Sequence, residues 1–149
     1  MTARSVSVDV RGLPRPQGSL RLHTLPGGKV AARYADTVYE WRAVLQERLA
    51  RECVEQFVGP VELRLGFDMP RLQSHFRPVN SKRSAPELRE SAPDYPCSAP
   101  DLDKLVRAVG DSITDAGLWR DDGQVASLVA AKRYSDTPGV LITITELTT

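Results

Sequence analysis

The chain is poor in cysteine: two in 149 residues, Cys53 and Cys97, neither with a CxxC neighbour. That excludes a zinc ribbon and a disulfide framework, and reduced thiols are expected. Long apolar runs are missing too. None approaches the ~20 residues needed to cross a bilayer, so no membrane association is expected. The opening MTARSVSVDVRG has no basic segment leading into a long apolar one. No secretory leader is expected, and the reading is a cytoplasmic protein. Histidine is scarce, with His23 and His75 alone, and neither joins the candidate catalytic set. Overall charge is nearly balanced at +1. What remains is ordinary: 41% apolar and 26% charged residues, enough for one packed core and a single domain over 1–149.

The balanced charge hides a division. Arg4, Arg11, Arg15, Arg21, Lys29 and Arg33 face Asp9 alone in residues 1–34, and Arg71, Arg77, Lys82, Arg83 and Arg89 give 69–99 a further basic excess. Residues 35–68 and 100–149 are acidic. Cations for a phosphate backbone beside carboxylates for a metal suit a nucleic-acid enzyme, although a solvated surface gives the same pattern.

Periodicity sets the elements. SVSVDVR (5–11) alternates as a strand, and 19–24 with 29–33 form a hairpin across Pro26-Gly27-Gly28. From Asp36, Val38, Trp41, Val44, Leu45 and Leu49 fall on one helical face. VELRLGF (61–67) alternates again. Residues 69–99 hold five prolines and no period, an irregular excursion of a length that is usually functional or disordered. Helical spacing returns over 101–115, and 124–134 and 140–147 read as strands. Too few βαβ units are present for a doubly wound sheet. We expect an α/β (α+β) fold: two layers, with one mixed sheet and two main helices packed on it.

Four aspartates lie in PDLDKLVRAVGDSITDAGLWRDDGQV (100–125): Asp101, Asp103, Asp121 and Asp122. Carboxylates are the oxygen ligands that Mg²⁺ requires. Each also has a structural explanation. Asp101 can cap the helix, Asp103, Arg107 and Asp111 can form an i,i+4 ladder, and Asp121-Asp122-Gly123 can be a turn. A helix over 101–115 separates the two pairs by about 20 Å. They meet only if residues 117–122 double back or a second subunit supplies one pair.

The run D-L-D-K-L-x-R-A-x-x-D followed by A-G-L-W-x-D-D-x-Q-V resembles the signature of the RusA family of Holliday junction resolvases. V-R-G-L-P-R-P-Q-G-S-L-R resembles that family's opening more loosely. The resemblance implies a RusA-like fold and a homodimeric endonuclease that uses Mg²⁺, with Mn²⁺ expected to substitute. It would nick opposed strands of four-way junction DNA in recombination and repair. Carried over, the catalytic carboxylates fall on Asp101, Asp103 and Asp122, with Asp121 as the adjacent acid of the metal set. Where the family has a helix lysine this chain has Arg107, and where it has asparagine this chain has Lys104. Arginine keeps the charge but is a poor proton donor, so Arg107 is read as an electrostatic clamp assisted by Lys104. Arg11, Arg15, Arg21, Arg71, Arg77, Lys82 and Arg83 are the expected DNA contacts. The alternative is a junction-binding protein with weak or no catalysis, and a phosphatase of small esters is a third reading. Phage or prophage carriage is common among such resolvases.

Overall fold

A computed structural model of the chain describes residues 3–52, 55–80, 82 and 85–148. Its elements follow the hydrophobic pattern closely: β1 (Ser5–Arg11), β2 (Arg21–Thr24), β3 (Val30–Arg33), α1 (Asp36–Glu52), β4 (Val61–Met69), α2 (Leu102–Ala116), β5 (Val125–Tyr134) and β6 (Gly139–Glu146). Four strands form one mixed sheet in the order β1-β6-β4-β5, and β2 and β3 pair as a separate hairpin. The fold is therefore a single α+β domain, as expected.

Alternation decides which sheet face is buried. Val8 and Val10 of β1, Val61, Leu63, Leu65 and Phe67 of β4, and Val140, Ile142 and Ile144 of β6 all point into the core. Trp41, Leu45 and Leu49 of α1 and Leu105, Ala108, Val109 and Ile113 of α2 cover them. Val44 belongs to the helical pattern but lies exposed, because it sits at the margin of the α1 stripe. β4 runs two residues past the expected end, to Met69, and its last three residues are buried.

β4 and β5 are parallel, with Val61 beside Val125 and Met69 beside Tyr134. A parallel pair needs a crossover, and α2 supplies it. This one connection fixes where the aspartates lie. The start of α2 belongs to the Met69/Tyr134 end of the sheet, and its end belongs to the Val61/Val125 end.

The excursion is only partly irregular. A 3₁₀ turn spans Gln73–His75, and Phe76 bridges Leu88. Cys97 is a free, exposed thiol, whereas Cys53 and Arg83 lie outside the described residues.

On the face away from the helices, Asp68 is nearly buried between Arg11 (3.0 Å) and Arg133 (2.5 Å). Arg11 also bonds Asp9 and the Thr137 carbonyl. Gly139 lets the chain pass this cluster, since a Cβ there would lie 2.5 Å from the Arg11 guanidinium carbon. Burial opposes ionisation of Asp68, but the hydrogen bonds from Arg133 and Arg11 outweigh it and hold the carboxyl below its ordinary value of 3.8. A folded pKa below the unfolded one gives stability that is full above the unfolded value and lost as pH falls through the folded value. Acid titration followed by circular dichroism should therefore show a stability loss below about pH 4 that Asp68→Asn flattens. An unchanged acid limb in the variant would remove Asp68 from that role.

Candidate functional site

α2 buries Leu105, Ala108, Val109, Ser112 and Ile113 and leaves Asp103 and Arg107 on its exposed face. Asp101 stands at the entrance in extended conformation and makes no side-chain cap. It pairs instead with Lys104 at 3.1 Å. The side chains of Asp103 and Arg107 have no ion pair or hydrogen bond among the described residues, so the Asp103–Arg107–Asp111 ladder does not form. Lys132 reaches from β5 to this entrance, donating to the carbonyls of Ser98 (3.0 Å) and Pro100 (2.8 Å). It thereby fixes the backbone immediately ahead of Asp101.

The other end of α2 closes on Gly117, whose φ of +81° is a left-handed position suited to glycine. Leu118 then donates back to Ile113 at 3.2 Å, and buried Trp119 donates Nε1–H to Thr114 Oγ1 at 2.7 Å. The chain does double back, but only over the last turns of α2. Gln124 stitches the following turn. Its Oε1 accepts from the backbone N–H of Arg120 (2.9 Å), and its Nε2 donates to the carbonyls of Phe57 (3.0 Å) and Gly59 (2.9 Å). Asp121 accepts the Gly123 N–H at 3.2 Å, which makes it the cap of a 3₁₀ turn over Asp122–Gln124.

The electrostatics here are unbalanced. The Asp122 carboxyl is raised above its ordinary range by its hydrogen bond with Asp121, by local desolvation, and by the charges of Asp121 and Asp111. Asp121 is correspondingly lowered, first by the Gly123 N–H and then by Asp122. Asp101 and Asp103 are not among the charges that act on Asp122. One protomer thus holds two separate acidic groups: Asp101 with Asp103 at the start of α2, and Asp111, Asp121 and Asp122 near its end.

Gln17 has no visible role in the sequence, and Asp111 is visible there only as a possible rung of a helix ladder. Gln17 is fully buried, donates its backbone N–H to the Lys104 carbonyl (3.0 Å) and its Nε2–H to Asp111. Arg42 of α1 donates to Gln17 Oε1 at 3.3 Å and pairs with Asp115. This network lays the loop before β2 across α2. Asp111 closes the D-L-D-K-L-x-R-A-x-x-D run and Gln17 stands in V-R-G-L-P-R-P-Q-G-S-L-R, but a buried glutamine looks like any polar loop residue in sequence.

The expected DNA contacts separate by what their side chains already do. Arg11 is engaged with Asp68, and Arg71 donates to the Pro93 carbonyl (2.8 Å) with its guanidinium 4.4 Å over the Tyr134 ring. Arg77 lies 3.8 Å from Glu87. The side chains of Arg15 and Arg21 have no ion pair or hydrogen bond among the described residues, and together with Lys104 they line one cleft. Lys82 is exposed.

Among the described residues, no three His, Cys, Asp or Glu side chains converge on one point as a metal cage. The donor chemistry still suits Mg²⁺, which is commonly held by one or two carboxylates with water and substrate phosphate. Asp122 shares a hydrogen bond with Asp121 and feels the charge of Asp111, an accumulation of negative charge that a bound cation would offset.

Comparison with known proteins agrees with the motif order. The family model described as "Endodeoxyribonuclease RusA" matches residues 13–145. An uncharacterized protein of Bacillus subtilis, YqaN, is 29% identical over 136 residues, covering 89% of this chain and 87% of its own.

Proposed function

The chain belongs to the RusA endodeoxyribonuclease family, and we propose that it resolves Holliday junctions in a Mg²⁺-dependent reaction as a homodimer with shared sites. Family membership carries the coarse reading of endodeoxyribonuclease action on branched junction DNA. The finer reading rests on one observation: the two acidic groups are separated along α2, with even their nearest members on that helix, Asp103 and Asp111, about 12 Å apart along its axis.

β5 offers the means to join them. It is an edge strand of ten residues, and Leu128 (51%) and Val129 (45%) lie exposed on it. A long apolar edge invites pairing with another strand. Antiparallel pairing of β5 with its copy sets the Val125 end of one strand beside the Tyr134 end of the other. Asp122 of the partner subunit then faces Asp101 and Asp103, and two equivalent sites result.

Asp101, Asp103 and Asp122, with Asp121 supporting, would hold the metal. When bound, Mg²⁺ supplies Lewis acidity at the scissile phosphate and lowers the pKa of a coordinated water. Arg107, on the face between the acidic groups, stabilises charge that develops on the phosphate. Lys104 tethers Asp101 and adds a second cation. Arg15 and Arg21 grip flanking phosphates, an affinity that weakens with salt. No helix among the described residues is long and apolar enough to cross a membrane.

The test is a synthetic four-way junction beside a matched linear duplex, each with Mg²⁺ or EDTA. Paired symmetric nicks on the junction with Mg²⁺ alone are expected. Equal cutting of the duplex, or cutting in EDTA, overturns the reading. Tight junction binding without nicking would favour a binding protein instead. For the dimer, Leu128→Lys is expected to convert it to monomer in sedimentation with an unchanged circular dichroism spectrum. A variant of unchanged mass would place the interface elsewhere.

A further inference from the structure

An apolar cavity of about 380 Å³ opens beside the start of α2. Its walls come from Leu13, Met69, Leu72, Ala99 and Pro100, and the Tyr134 ring lies among them. Arg71 over that ring and His75 against its edge hold it in place. The size falls within the range of ligand pockets, and the lining has their character of apolar walls with few polar groups. Two of those polar groups are cationic, Arg15 and Lys132. Arg15 has no partner among the described residues. Lys132 uses two bonds on the carbonyls of Ser98 and Pro100, and an ammonium has a third hydrogen to give.

Position gives the cavity a role. Ala99 and Pro100 line it, and the next residue is Asp101. A strand whose phosphate sits at Asp101 and Asp103 therefore carries the adjoining base to the cavity mouth. In the open form of a four-way junction the bases at the branch point lose stacking on one side, so withdrawing one costs less there. The two cations at the cavity are donors only, while the hydroxyls of Ser98 and Tyr134 can donate or accept. The guanine edge, with O6 and N7 as acceptors, is the usual match for arginine or lysine.

We propose that this cavity receives one unstacked nucleobase from the strand adjoining the Asp101–Asp103 phosphate, with Lys132 and Arg15 selecting guanine. It rests on the junction-resolving reading and adds a specificity site to it.

The experiment is a cycle between base and pocket, run by binding in EDTA with the full chain. Four-way junctions carry a single abasic nucleotide at each position flanking the branch point. Wild type is compared with Ala99→Leu, which fills the cavity from an exposed position, and with Leu72→Gln, which makes its wall polar. At one position, loss of the base should weaken wild-type binding about tenfold and weaken either variant less than about twofold. Restoring guanine there should recover more affinity than restoring any other base. Equal losses in wild type and variants, or no sensitive position, overturn the proposal while leaving junction binding and nicking intact. Guanine no better than the other bases overturns the selection by Lys132 and Arg15. A changed oligomeric mass in Ala99→Leu would show that a second copy, not a base, occupies the cavity, and would also overturn it. Failure of the wild type to prefer any junction over linear duplex would instead defeat the resolvase reading, and this inference with it.

Discussion

Asp103→Asn and Asp122→Asn are each expected to lose junction nicking by about a hundredfold or more, and a mixture of the two is expected to regain it in part. The loss follows from removing a carboxylate that is proposed to hold the metal, since even the outer partners of metal ligands commonly cost 10–100-fold in affinity or activity. The recovery follows from the sharing of sites. In a mixed dimer, one site combines both substituted residues and is dead, while the other combines native Asp103 with native Asp122 of the partner subunit. Random mixing makes half the dimers mixed with one live site each, so about a quarter of the wild-type sites return. They should cut one strand of the junction rather than a symmetric pair. Gel analysis of end-labelled junction arms after subunit exchange reads both outcomes. No recovery on mixing would mean that each site is built within one protomer, and the dimer proposed from β5 would lose its support.

The control for that experiment comes from electrostatics. Asp122 is held above the ordinary carboxylate range by Asp121, local desolvation and Asp111, so its ionised form is disfavoured in the fold. A raised folded pKa means that the stability it contributes is present below the unfolded value and lost as pH rises through the folded value. At neutral pH the charge is therefore a burden, and Asp122→Asn should leave the melting temperature unchanged or higher. Loss of activity without loss of stability separates a chemical role from a structural one.

How far the sequence alone reaches can be seen along α2. The apolar residues Leu105, Val109 and Ile113 repeat at helical spacing, and burial of that stripe makes the element legible at once. The pairing of β4 with β5 was not legible, because strand alternation says which face is buried and nothing about which neighbour lies alongside. That pairing decides that Asp101 and Asp122 lie at opposite ends of the sheet. The motif alone offered two answers to their separation, doubling back or a second subunit. The chain does turn back at Gly117, but only as far as the level where Asp111 acts on Asp122. Buried polar partners were hidden for a related reason. Gln17 and Gln124 are recognised only by what they bond, and those bonds join residues 94 and 67 positions apart. Arg11 illustrates the converse: in sequence it is one cation of a basic stretch, and in the fold it is locked onto Asp68.

The second motif also holds its largest structural weight next to its chemistry, and Trp119→Ala measures it. Trp119 is 1% exposed, and Leu118 beside it is fully buried. The backbone of Phe57 donates to the Leu118 carbonyl at 2.8 Å, so this point ties the chain ahead of β4 to the turn that carries Asp121 and Asp122. Removing a buried tryptophan leaves a cavity and typically costs about 3–5 kcal/mol, a large share of the 5–15 kcal/mol that holds a domain of ordinary stability. It also leaves Thr114 without its indole donor. A large fall in the urea midpoint is expected, together with lost nicking, whereas Thr114→Val should cost only about 1–3 kcal/mol by leaving the indole N–H unpaired. If Trp119→Ala kept its midpoint but lost nicking, the ring would belong to the chemistry or to DNA contact, and the separation of Trp119 as scaffold from Asp122 as proposed ligand would fail. The two neighbours in one motif thus make opposite predictions, with stability falling for Trp119 and activity alone falling for Asp122.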